Sequence, residues 1–289
     1  MSVIASRTVE VVFQVLSRLP LGLLQGMGAC VGRLMHAYSA KFRREFERNL
    51  RGAIPEADEA LIRSAAAHAG RAMLELPWIW MRPRERVLEA VVEVSGWEHV
   101  EALRTHGRGI VMLTPHMGAF EVAARLIGSR IPITVLYRAP RQPWLGPLMR
   151  RGRDGGGVSL AAADAGGVRR LLRTLRDGGT VGILPDQVPA NGEGVWADFF
   201  GRPAYTMTLA ARLTSMAAGT LMVFAERLPR GRGFRLHFLP CEVAVTGDTA
   251  QRVDAINRNV EALVRRYPAQ YIWGYKRYKR PPGVERPAR

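Results

Sequence analysis

Cysteine is scarce: Cys30 and Cys241 are the only two in 289 residues. That excludes a disulfide framework and any CxxC metal or redox site, and it fits a reducing compartment. Acidic residues are also few, 25 against 42 Lys and Arg, for a net charge of +17. Such a balance points to a polyanionic partner: nucleic acid, an anionic membrane, a phosphorylated substrate or an acidic carrier protein. Long apolar runs are missing near the N-terminus. The uncharged stretch 19–32 (LPLGLLQGMGACVG) is closed by Arg18 and Arg33, short of the ~20 residues that span a bilayer. Several catalytic signatures are absent too. There is no G-x-S-x-G elbow, no H-E-x-x-H or Cys/His cluster for zinc, and no G-x-x-x-x-G-K-[ST] loop. Gly26-Met27-Gly28 lacks the strand and acidic partner of a dinucleotide fingerprint.

What remains is an apolar-rich, ordinarily charged chain, 47% and 23% respectively, which argues against disorder. Its length suits one α/β domain. Residues 19–32 read as an interfacial or weakly inserted anchor rather than a core helix; Glu10 and Arg18 break a signal-peptide core. The basic segment KFRREFERNLR (41–51) follows, as a surface facing lipid headgroups or as a solvated helix face. Residues 57–82 are expected to be helical.

From about residue 91 strands and helices alternate. Strands are expected at 109–115, 131–137, 180–185, 220–228 and 234–240, and helices at 120–128, 168–179, 208–219 and 249–266. The Gly/Pro-rich stretch 188–208, with Trp196, Phe199 and Phe200, is expected to be a loop. Its aromatics suit either a greasy substrate channel or a loop core. The fold class is therefore α/β, a mixed sheet flanked by helices, preceded by an N-terminal membrane-associating helix. Residues 1–40 form the membrane-associating segment and 41–289 the catalytic domain.

Ligand sites in open α/β sheets lie beyond the carboxyl ends of strands. Strand 109–115 ends at Pro115-His116, with Glu121 in the first turns of the next helix. The expected arrangement has His116 preceding the helix and Glu121 accepting a hydrogen bond from one ring nitrogen. The other nitrogen is then free as a base. A helix-capping histidine is the bland alternative. From Val122 to Arg153 there are seven arginines (125, 130, 138, 141, 150, 151, 153) and no acid, which suits an anion site. Arg125 and Arg130 read as solvated helix positions; Arg138, Arg150 and Arg153 are the better binding candidates. A further strand ends at Pro185-Asp186-Gln187.

The ordered set of His116-x4-Glu121, Tyr137-Arg138, Pro185-Asp186-Gln187, Phe199-Phe200-Gly201-Arg202-Pro203-Ala204 with Thr206-Met207-Thr208, and Tyr267-Pro268-Ala269-Gln270-Tyr271-Ile272-Trp273 with Lys276-Arg277-Tyr278-Lys279 resembles the late acyltransferases of lipid A biosynthesis. These are lauroyl/myristoyl transferases within the lysophospholipid acyltransferase superfamily. The resemblance covers nearly the whole chain, including Arg48-Asn49-Leu50 before an Ile-Pro-Glu turn. It implies an enzyme at the cytoplasmic face of the inner membrane. The implied reaction moves a fatty acyl chain from acyl carrier protein to a hydroxyl of a hydroxyacyl chain on a phosphorylated glucosamine disaccharide.

By that resemblance the catalytic dyad falls on His116 and Glu121, the strand-end aspartate on Asp186, and the substrate-binding arginine on Arg153 with Arg150 close behind. Val188 departs from the family pattern, standing where many members carry a second acid. The implied partners are acyl carrier protein, an anionic glycolipid acceptor and the inner-membrane surface, with no cofactor and no metal. The tail 276–289 adds Lys276, Arg277, Lys279, Arg280, Arg286 and Arg289 against Glu285. Acylation of another membrane lipid (a lysophospholipid, ornithine lipid or glycolipid) is the rival within the class. A nucleic-acid-binding protein is the rival outside it. No nucleic-acid motif is visible and the basic residues are not interleaved with stacking aromatics, so no nucleic-acid partner is expected.

Overall fold

The computed structural model describes residues 3–140, 142 and 144–286; Arg141 and Arg289 of the basic clusters lie outside them. Helices α1 (Val3–Arg18), α2 (Leu21–Tyr38), α3 (Ala40–Ala53), α4 (Glu59–Leu74), α5 (Leu76–Met81) and α6 (Arg84–Leu88) come first. Then follow β1 (Val91–Ser95), α7 (Trp97–Arg104), β2 (Ile110–Leu113), α8 (Phe120–Arg130), β3 (Ile133–Tyr137), α9 (Leu145–Arg153), β4 (Val158–Ala162), α10 (Ala165–Arg176) and β5 (Thr180–Ile183). The chain closes with β6 (Gly194–Phe199), β7 (Arg202–Met207), α11 (Thr208–Thr214), β8 (Gly219–Arg227), β9 (Phe234–Pro240) and α12 (Thr249–Arg266).

Seven strands form one sheet in the order β1-β9-β8-β2-β5-β3-β4. It is mixed, because β8 and β9 pair antiparallel while β2 runs parallel to both β5 and β8. Alternation along the strands divides the core in two. Val111, Leu113, Val181, Ile183, Met222 and Phe224 face α3, α4, α10, α11 and α12. Ile110, Met112, Ile133, Leu221, Val223 and Ala225 face α1, α2, α5, α8 and α9. Burial on both faces explains why β2 and β5 read as continuous apolar runs rather than alternating ones.

Helix starts follow side-chain chemistry. Asp58, Asp164 and Asp248 each accept a backbone N–H at the N-terminus of α4, α10 and α12, and Gln251 completes a capping box. Helix α2 lies tightly along α4. A β-carbon on Gly32 would sit 2.0 Å from the Ala66 carbonyl oxygen, and one on Gly70 1.9 Å from that of Gly28. Small residues there permit backbone-to-backbone approach. On the outer side Val11, Val12 and Val15 of α1 and Leu23, Met27 and Leu34 of α2 are exposed. Among the described residues no helix is long and apolar enough to cross a membrane.

Stretch 188–208 is not a loop. It contains the antiparallel hairpin β6–β7, turned by Phe200 and Gly201, both at positive φ (51° and 67°), the backbone of a tight hairpin turn. Pro203 survives because this ribbon has only two strands and so offers edge positions. Phe199 and Phe200 pack down into the core beside Tyr271 and Trp273, not into a channel. Arg277 of the tail is buried, donating to the Tyr205 carbonyl at 2.9 Å and to Thr206 Oγ1 at 2.6 Å. It therefore adds nothing to the tail's surface charge.

Candidate active site

Strands β2 and β5 lie side by side with Leu113 opposite Ile183. Three residues beyond each lie His116 and Asp186, so parallel register alone delivers them to one spot. The Asp186 carboxylate accepts from His116 twice. Its Oδ1 lies 2.7 Å from Nδ1 and its Oδ2 2.9 Å from the backbone nitrogen. The opposite ring nitrogen, Nε2, faces the Gln187 amide nitrogen at 3.0 Å. An amide NH2 only donates, so Nε2 carries the lone pair and Nδ1 carries the proton. That is the tautomer a base requires. Burial works to raise the Asp186 carboxyl, but the His116 contacts outweigh it and hold Asp186 below the usual carboxylate range.

Glu121 does not orient the ring as expected from the sequence. Its carboxylate is held by Arg153, with Nε at 2.9 Å from Oε2 and a short Nη2 contact to Oε1, and by Trp80 Nε1 at 3.1 Å. A forked guanidinium in a buried setting outcompetes an imidazole for both oxygens, and Asp186 already occupies Nδ1. Burial pushes the Glu121 carboxyl up, yet the Arg153 charge and hydrogen bonds bring it below its ordinary value, with His116 adding to the fall. Trp80 also lies under the Arg153 guanidinium, 5.7 Å from carbon to ring centre.

His116, Glu121, Arg125, Arg138, Arg153 and Gln187 share one cavity of about 370 Å³, with Phe120, Leu136, Met149 and Leu160 supplying apolar wall. Arg138 is exposed at its mouth, 3.8 Å from Glu193. Arg150 is exposed on α9 and is not among the cavity's lining residues, so the structure does not bring it to the site. Arg125, expected to be a solvated helix position, is buried. It donates to the Trp80 and Gly152 carbonyls, and burial and the nearby Arg84 lower it to about 10.

The histidine loop is strapped from both sides. Gly118 N–H donates to the Gln270 carbonyl at 2.9 Å, Ala119 N–H to that of Ala225 at 2.8 Å, and Ile272 N–H to that of His116 at 3.1 Å. Gly118 has φ 55°, and a β-carbon there would meet the Ala225 oxygen at 2.1 Å, so glycine is required. Arg227, fully buried against Glu75, donates to the Gly118 carbonyl at 2.9 Å. Trp80, Arg227 and Gln270 escaped sequence reasoning. Only the Tyr-Pro-Ala-Gln-Tyr-Ile-Trp motif hinted at one of them. Cys241 is poorly suited to act as a nucleophile, because burial raises its thiol to about 11.

A family model described as bacterial lipid A biosynthesis acyltransferase matches residues 6–280. The chain is 28% identical to a lipid A biosynthesis lauroyltransferase of Escherichia coli K12, over 92% of this chain and 89% of that protein. It is 25% identical to the myristoyltransferase of the same strain (92% and 83% covered) and 23% identical to its palmitoleoyltransferase (92% and 88%). The chain thus belongs to the bacterial lipid A biosynthesis acyltransferases, and it is an acyltransferase.

Proposed function

We propose that this enzyme is a late acyltransferase of lipid A assembly. It moves a fatty acyl chain from acyl carrier protein to a hydroxyl on a hydroxyacyl chain of a phosphorylated glucosamine disaccharide. The observation that carries the reading is the His116 ring. Its Nδ1 is anchored on buried Asp186 and its Nε2 lone pair faces a cavity lined by arginines and apolar side chains.

An acceptor hydroxyl displaces the Gln187 amide from Nε2 and gives up its proton there. Its oxygen attacks the thioester carbonyl and the carbon–sulfur bond breaks. The imidazolium, whose charge Asp186 stabilises across Nδ1, returns that proton to the departing sulfur, so free thiol leaves and the neutral base is restored. Glu121 acts at one remove, holding Arg153 against the cavity wall. Arg153 and Arg138 are the groups available to acceptor phosphates or to the oxygen that gains charge. No serine, threonine or cysteine stands between His116 and Glu121, so the acceptor hydroxyl is the nucleophile and both substrates are bound together.

The exposed apolar residues of α1 and α2 support peripheral attachment of residues 1–40 to the cytoplasmic face of the inner membrane. The net charge of +17 supports an anionic membrane, a phosphorylated acceptor and an acidic carrier alike. Mass spectrometry of lipid A from cells with and without the gene tests the reading. Loss of one acyl chain is expected; unchanged lipid A with an altered phospholipid or ornithine lipid would assign the rival acceptor.

A further inference from the structure

The proposed reaction brings two large substrates to His116, yet the catalytic cavity holds only about 370 Å³, the low end of the ~300–1,000 Å³ of a single drug-sized ligand site. A groove of about 930 Å³ adjoins it, and Leu136, Arg138, Pro189 and Met207 line both. This groove lies beyond the carboxyl ends of β3 and β4, at the same end of the sheet as His116. Its floor is apolar, with Val168, Leu172 and Leu209.

Its rim carries four arginines from four parts of the chain: Arg138 after β3, Arg169 on α10, Arg212 on α11 and Arg252 on α12. The carboxylates of the rim are already engaged. Asp164 and Asp248 accept the backbone N–H groups of Gly167 and Gln251. Glu193 accepts that of Ala190 and faces Arg138. Helix α10 continues the positive surface with Arg169, Arg170, Arg173 and Arg176 and contains no acid.

The two cavities are walled by different helices, the groove by α10, α11 and α12 and the catalytic cavity by α8 and α9. Helices α10, α11 and α12 cover one face. Helix α1, with its outward valines, packs with α5, α8 and α9 on the other, and Glu10 of α1 is 2.7 Å from Arg151 of α9. A lipid acceptor reaching His116 from the membrane side comes past α9, leaving the α10–α12 side to a water-soluble reactant. We propose that the 930 Å³ groove receives the phosphodiester-bearing pantetheine arm of the donor thioester, and that its acidic carrier seats on the arginines of α10. This rests on the acyl-transfer reading above and adds where and from which side the donor binds.

The test is two-substrate kinetics on the full chain with acyl carrier protein thioester, comparing wild type with R169A/R212A. Both side chains are exposed, and circular dichroism verifies the fold. Losing two charge-assisted contacts should raise the KM for carrier-bound donor by roughly tenfold or more, with the acceptor KM within about twofold. The preference for carrier-bound donor over the phosphate-free N-acetylcysteamine thioester should fall by the same factor. A rise in acceptor KM instead would assign the groove to the acceptor's phosphates. That result, an equal effect on both donors, or no change would each overturn the inference while leaving the acyl-transfer reading intact. Absence of transfer by the wild type would overturn both.

Discussion

Replacing Asp186 by Asn changes little in shape and much in chemistry. The carboxylate accepts from His116 at Nδ1 (2.7 Å) and at the backbone nitrogen (2.9 Å). An asparagine can still accept the backbone N–H through its oxygen, but its NH2 then faces Nδ1. A donor at Nδ1 drives the ring proton to Nε2, where Gln187 and the acceptor hydroxyl need a lone pair. Two losses combine. The imidazolium formed during proton transfer loses a charge-assisted hydrogen bond worth ~1.5–3 kcal/mol, or roughly 10- to 150-fold in rate. The wrong tautomer adds to this, and the same swap in a Ser-His-Asp triad costs about 10⁴ in kcat. We expect D186N to lower kcat by ~10³–10⁴ with both KM values within about threefold. Initial rates at saturating donor and acceptor, read as acylated product by mass spectrometry, measure it. A folded D186N enzyme retaining more than a tenth of wild-type kcat would refute the orienting role of Asp186.

Arg153→Ala leaves the Glu121 carboxylate buried without its cation, at an expected cost of about 3 kcal/mol in urea unfolding. Adding Glu121→Gln should recover part of that loss, and strict additivity would show that the pair is not coupled. Gly118→Ala forces a β-carbon against the Ala225 oxygen at positive φ. It should cost ~1–3 kcal/mol and reduce kcat by displacing His116; a variant with unchanged melting temperature and activity contradicts the strap. His68 is held down to about 3 from 6.5 by burial and by Arg227 and Arg71, so the unfolded chain binds its proton first. Stability should fall as pH drops from 6.5 towards 3, by up to about 4 kcal/mol, and His68→Gln should flatten that slope; identical pH profiles would refute it.

Much of the fold was legible because its central strands are short apolar runs between Gly and Pro. IVML and TVGI lie at the middle of the sheet, buried on both faces, and composition alone marks them. Edge strands were harder. VVEVS (β1) is half exposed and VSLAA (β4) is built of small residues after three glycines, so neither stands out. The hairpin β6–β7 carries the Gly and Pro of a loop, yet its buried aromatics decide its structure. His116, Glu121, Arg153 and Asp186 were all named from motif and resemblance, and the structure brings them together, but in a pairing other than the expected one. Which carboxylate meets the imidazole depends on β5 lying next to β2, a fact of strand order that local pattern does not carry. Trp80, Arg227 and Gln270 reach the site from distant parts of the chain; Gln270 lies in the Tyr-Pro-Ala-Gln-Tyr-Ile-Trp motif, whereas nothing in the neighbourhoods of Trp80 and Arg227 marks them.

The most direct test of the central claim is one reaction with three readouts. Full-length enzyme is mixed with acyl carrier protein thioester and a phosphorylated glucosamine lipid bearing a free hydroxyacyl hydroxyl. Product lipid, intact enzyme and free thiol are then followed together by mass spectrometry. The lipid should gain the mass of one acyl chain, thiol should appear in equal amount, the enzyme should gain no mass even with donor alone, and His116→Ala should abolish the transfer. An acylated enzyme that passes its chain to the lipid at a competent rate, or transfer that survives the loss of His116, would contradict that claim.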